Sequence, residues 1–120
     1  MADRVYVISF GEPVRGREER ALESFNDAIG LFGRMQQDGR IESFDVVLLN
    51  PNSDMGGYIA LKGSAQQIAA LDQDEEFIRN SVEAGLVVDD LRHTVGYTNE
   101  GIAGQVELYR EAVSKVPQLS

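Results

Sequence analysis

Residues 40–63, RIESFDVVLLNPNSDMGGYIALKG, constrain this chain more than any other stretch. Two apolar runs, residues 44–49 and 58–61, flank the polar segment 50–57. Val, Ile, Phe and Tyr suit a pleated, half-buried surface, while Pro, Asn, Asp and Gly supply turn geometry. The pattern predicts two antiparallel strands joined by a loop. A lone hairpin is marginal in water, so further strands or helices must complete it. Asn50, Asn52 and Asp54 alternate as calcium-loop ligands do. That motif needs Gly sixth and Glu twelfth, and those places hold Met55 and Leu61, so the segment reads as a turn.

The flanking sequence supplies the missing elements. Arg4–Phe10 (RVYVISF) is β-branched and aromatic and predicts a first strand, ended by Gly11-Glu12-Pro13. From about residue 17 to residue 38, Leu22, Phe25, Ile29, Phe32 and Met35 fall on one helical stripe. Glu18 and Glu19 complement the helix dipole at its start, and Gly39 is placed to stop it. Gly30 and Gly33 each cost about 1 kcal/mol inside a helix, and close packing on a sheet is the expected reason for them, with a hinge second. Ser64 and Gln67 have capping-box spacing and open a short helix with Ile68 and Leu71 inward. The polar run 72–75 starts a second piece, through Phe77, Ile78 and Val82 to Gly85. Residues 86–97 read as a fourth strand, bent at Asp89-Asp90. Asn99 is placed to cap a last helix bearing Ile102, Val106, Tyr109 and Val113 on one face, with Pro117 just beyond.

The order strand, helix, strand, strand, broken helix, strand, plus a terminal helix, describes two split βαβ crossovers on one antiparallel sheet. This is an α+β, ferredoxin-like βαββαβ arrangement, and right-handed crossovers put both internal helices on one face. A sheet with one wet face alternates cleanly. Here Val5-Tyr6-Val7-Ile8, Val46-Val47-Leu48-Leu49 and Leu86-Val87-Val88 are apolar on both faces. The second face therefore needs a cover, and a two-fold homodimer through that open face is preferred over the terminal helix folding across.

The chain's 120 residues suffice for one domain with a real core. No cysteine is present, which excludes disulfides, thiolate metal sites and a Cys nucleophile. Eleven basic against twenty acidic residues give a net charge of −9, which opposes binding to nucleic acid or to anionic membrane. No run approaches the ~20 apolar residues of a membrane span, and MADRVYVISF lacks a signal-peptide core, so a cytoplasmic protein is expected.

The chain also resembles the dimeric α/β-barrel group, in which two ferredoxin-like sheets pack face to face. The likeness covers most of the chain. It rests on the element order, the doubly apolar strands, the YIALKG strand running into Ser64, and the broken helix ending near Gly85. GEPVRGRE followed by GRIESFDVVLLNP looks most like uncharacterised bacterial members of that group. The resemblance implies a homodimer and allows a small monooxygenase, but the chain has no tryptophan, unlike branches that place one in the pocket.

Strand parity gives the candidate site. If Phe44, Val46 and Leu48 face the helices, then Ser43, Asp45, Val47 and Leu49 face the other layer, together with Tyr58, Ala60, Lys62, Val5, Val7 and Ser9. Ser9, Asp45, Tyr58, Lys62 and the single His93 are the candidate pocket residues for a small organic ligand. Arg15, Arg17 and Arg20 crowd the start of the first helix and form a candidate anion site, with ion pairing to Glu12, Glu18 or Glu19 as the alternative. No metal and no cofactor is expected from a lone histidine. Three functions compete: a non-catalytic ligand-binding or accessory module, a cofactor-independent monooxygenase or isomerase, and a structural subunit.

Overall fold

A computed structural model describes residues 2–117 of the chain. Its strands are β1 (Arg4–Phe10), β2 (Ser43–Leu48), β3 (Gly57–Gly63) and β4 (Arg92–Tyr97). The helices are α1 (Glu18–Gln37), α2 (Ala65–Leu71), α3 (Glu75–Gly85) and α4 (Glu100–Ser114). The strands pair antiparallel in the order β2-β3-β1-β4, the ferredoxin-like topology read from the sequence.

The hairpin forms because its loop is tied by a single side chain. Asn52 Oδ1 accepts from the amides of Asp54 and Met55 at 2.8 and 2.9 Å, while its amide donates to the carbonyls of Asn50 and Met55. Gly56 and Gly57 complete the return. A Cβ on Gly57 would collide with the Val47 carbonyl, so only glycine fits there.

The core lies between the sheet and α1, α2 and α3. Tyr6, Ile8, Ile59 and Leu61 meet Leu31, Phe32 and Met35 of α1, Ile68 and Leu71 of α2, and Phe77 of α3. The predicted parity of β1, β2 and β3 holds, since Phe44 pairs with Leu61 and Val46 with Ile59. Cover thins toward β2, however: Val46 is exposed, and Leu48 is 66% exposed. The break between α2 and α3 is built from two caps. Ser64 and Gln67 form the reciprocal capping box, and Asp74 accepts from the Phe77 amide at 3.1 Å. α3 runs eleven residues but buries only Phe77, leaving Ile78 and Val82 in solvent. Arg40 clasps Asp38, Asp74 and Glu76 at 2.9–3.1 Å, joining the end of α1 to the start of α3.

Four local expectations change. First, α1 buries Ala21, Ser24, Ala28, Leu31, Phe32 and Met35, whereas Leu22 is exposed. Small residues carry the inward face over its first half, and apolar counting does not register them. Second, Gly30 and Gly33 do not meet the sheet; a Cβ on Gly33 would find open space. Third, residues 86–97 are not one strand. Residues 87–89 pair instead with 11–14, through Gly11 to Asp89, Asp89 to Glu12 and Val14 to Val87, each at 2.8 Å. Asp90, at φ 54°, then turns the chain before β4 begins at Arg92. The apolar triplet at 86–88 therefore has no second sheet face to cover. Fourth, Asn99 flanks α4 without capping it: its side-chain amide donates to the Ala2 carbonyl at 2.7 Å.

The terminal helix does not close over the sheet. No residue of α4 is buried, and Ile102, Val106 and Tyr109 stand exposed. The radius of gyration is 17.0 Å, against about 14 Å for a compact chain of this length. α4 projects.

Candidate functional site

Cross-strand register sorts the predicted site residues. On the open face, one row runs Val47, Tyr58, Ser9, Arg92; the next Asp45, Ala60, Val7, Thr94; the third Ser43, Lys62, Val5, Gly96. Ser9, Asp45, Tyr58 and Lys62 thus share one face. Lys62 Nζ lies 2.9 Å from Asp45 Oδ2, so the two charges satisfy each other beside Ala60 and Val7. The centre of this face is apolar and its margins are charged.

His93 does not join them. It pairs with Ile8 and therefore stands on the helix side. There the Tyr6 hydroxyl donates to Asp72 Oδ1 at 3.0 Å and lies 3.3 Å from His93 Nδ1. A phenol has one proton, and with that proton on Asp72 the Nδ1–H of His93 supplies the second bond. The ring of Tyr6 meets Phe77 and His93 edge-on, at 5.1 and 5.5 Å between centroids. Burial, reinforced by the Asp72 carboxylate, pushes the Tyr6 phenol up to about 12. Burial lowers His93 from its ordinary value, against a smaller upward pull from Asp72. The phenol therefore holds its proton more tightly than a free tyrosine, and the imidazole is harder to charge than a free histidine. Such a chain fixes the junction of β1, β4 and α2.

The three arginines are dispersed. Arg17 donates to the Leu86 carbonyl at 2.6 Å and tethers the end of α3. Arg20 pairs with Glu23 at 2.5 Å, a partner not among those foreseen. Arg15 is exposed, and the Gly16 amide at the head of α1 donates to Glu18 Oε1 at 3.0 Å. A carboxylate of the chain itself thus occupies that helix start.

A further site was not foreseen. A cavity of about 430 Å³ opens between the first half of α1 and the sheet. Ile8, Phe10, Ile59, Phe25, Ala28 and Phe32 form its walls. Ser24 also lines it; the residue is 8% exposed, and its hydroxyl has no hydrogen-bond partner. The available signal was the small-residue series Ala21, Ser24, Ala28 along α1, which keeps the helix backbone bare on its inward side. Among the described residues, no three His, Asp or Glu side chains converge as a metal-binding group. Among them, too, no helix is long and apolar enough to cross a membrane.

No family profile matches the chain, and no curated protein sequence matches it. Two solved structures do. A dimeric protein of unknown function and ferredoxin-like fold from Bacteroides fragilis NCTC 9343 is 10% identical, with a TM-score of 0.62, covering 82% of this chain and 98% of its own. A dimeric ferredoxin-like protein of unknown function from Jannaschia sp. CCS1 is 14% identical, with a TM-score of 0.54, covering 80% and 98%. At such identities the likeness speaks for architecture, and it agrees with the strand order: the chain has the ferredoxin-like fold.

Proposed function

We propose that two copies of this chain pair sheet to sheet, and that the resulting homodimer is a non-catalytic small-ligand-binding or accessory module. The observation that carries the pairing is the open face itself. Val5, Val7, Val47 and Tyr58, each half-exposed, surround the buried Ala60 in an apolar field that α4, which buries none of its residues, does not cover. A second copy brings a matching field, and Asp45, Lys62 and Arg92 at its margins offer charges of both signs for a self-complementary seam. The Bacteroides fragilis and Jannaschia proteins are both dimeric.

The non-catalytic reading follows from what the polar groups already do. Asp45 and Lys62 neutralise each other, and His93 stands across the sheet, bonded to Tyr6. Among the described residues, no base is thereby left beside a nucleophile on the open face, as general acid–base or covalent catalysis would require. Nucleic acid has no part in this reading, given the charge of −9.

Light scattering tests the assembly. The wild-type protein is expected to be a dimer at micromolar concentration. Val7→Lys, at the centre of the open face, should be a folded monomer with an unchanged far-UV spectrum. A monomeric wild type would overturn the proposal.

A further inference from the structure

The cavity between α1 and the sheet lies on the opposite side of the sheet from the proposed seam, and its chemistry is unlike that of a packing defect. A serine inside a helix ordinarily faces water or bonds back to a carbonyl one turn earlier. Ser24 does neither: its hydroxyl is buried without a partner on a residue that lines a largely apolar chamber, and a rotation about χ1 is what brings it to an occupant. Ser24 and Asn80 are the uncharged polar side chains among lining residues that are otherwise mostly apolar, a sparse set for the two to four partners a buried water needs.

We infer that the cavity binds one compact, neutral, largely apolar molecule, aromatic in body, whose single hydroxyl or carbonyl bonds to Ser24. This rests on the ligand-binding part of the proposed function and is independent of its dimer part. Size, shape and charge each restrict the occupant. A dry cavity of roughly 150 Å³ accepts benzene, so about 430 Å³ accommodates two fused rings with substituents. The walls suit a flat ring system: Phe10 and Phe25 meet edge to face at 6.1 Å, and Phe32 lies on the same helix. At the mouth, Leu22 and Leu48 are exposed leucines that extend the apolar path outward. Glu12 and Glu18 also stand there, exposed, and their charge selects against carboxylate or phosphate ligands.

A matched pair of probes, 2-naphthol and naphthalene, reads both the cavity and its buried serine. The chain has no tryptophan, so naphthalene-type fluorescence is read against tyrosine alone. On the full-length protein, 2-naphthol should saturate at one per chain and bind about tenfold tighter than naphthalene, as one hydrogen bond allows. Ser24→Ala should erase that preference while leaving naphthalene binding intact. Ala84→Phe, projecting from α3 into the cavity, and Leu48→Phe, closing the exposed rim, should each weaken both probes at least tenfold; the second variant decides if the first does not fold. Val7→Lys should retain binding after the dimer separates, and that result distinguishes this site from any at the seam. Absence of saturable binding, a preference that survives Ser24→Ala, or loss of binding together with assembly would each overturn the inference.

Discussion

Tyr6 and Ile8 point one way from β1, and Val5 and Val7 point the other. In apolar content the two pairs differ little. The first pair is in the core, under α1, α2 and α3, while the second is only half-buried by its strand neighbours. The difference teaches that burial in this sheet is not a property of the residues. It belongs to the layer laid over them, and one layer is missing from the single chain. The helix face is itself uneven, closed at Leu61 and open at Leu48 and Val95.

The largest effect expected from this contrast is at Leu61, which is fully buried. Leu61→Lys places an ammonium where no folded arrangement reaches water, costing several kcal/mol, and should abolish the cooperative melt seen by circular dichroism. Val7→Lys should keep that melt. Were the two variants equally damaging, the faces would be equivalent and the contrast would fail.

Next in size are the polar contacts at the β4 side of the helix face. Tyr6→Phe removes the hydroxyl shared by Asp72 and His93 and should cost about 1–2 kcal/mol in urea unfolding at pH 8. It should also remove a specific alkaline sensitivity. In the wild type the Tyr6 phenol holds its proton up to about 12, whereas the unfolded phenol loses it near 10. The folded state then binds more protons between those values, so stability is intact below pH 10 and falls as pH rises toward 12. His93 works in the opposite sense. Its folded value is lowered, so the unfolded chain takes up the proton first, and stability declines as pH drops below about 6.5. His93→Gln should flatten that acid-side decline.

Ser64→Ala loosens the cap that seats α2 over the face and should cost about 1 kcal/mol, read as a lower melting temperature. The smallest effect has the opposite sign. Gly33 lies on α1 away from the sheet, so Gly33→Ala should stabilise by about 0.5–1 kcal/mol. If the variant instead destabilised, the outer side of α1 would be a covered surface too.

Much of this architecture was legible because large side chains and turn residues announce themselves. The period-two runs of β1 and β3, the turn from Asn50 to Gly57, and the Ser64–Gln67 box each state a backbone preference locally. Three features were not stated locally. Val87 and Val88 look like strand, but whether they continue β4 depends on Gly11–Val14 arriving beside them, and the turn at Asp90 shifts the parity that places His93. The face of His93 was unreadable for that reason. The inward surface of α1 was misread by pattern, because Ala21, Ser24 and Ala28 contribute vacancy where Leu22 and Ile29 contribute bulk. The cavity was hidden by the same smallness that creates it.

The strand order β2-β3-β1-β4 has a consequence for how the chain reaches its fold. The hairpin of β2 and β3 is local and can form from its own 21 residues, 43 to 63. β1, earlier in the sequence than both, is central to the finished sheet and can find no strand until β3 has been made some fifty residues later. Pairing β1 to the hairpin closes a long loop containing α1, and closing long loops is the slow part of folding. During synthesis Arg4–Phe10 therefore waits with both edges unpaired, an apolar segment of the kind that pairs with any free edge nearby. The hairpin is the nucleus this topology favours, and substitutions in it, above all at Gly57, are expected to slow folding, while those in β4 mainly speed unfolding.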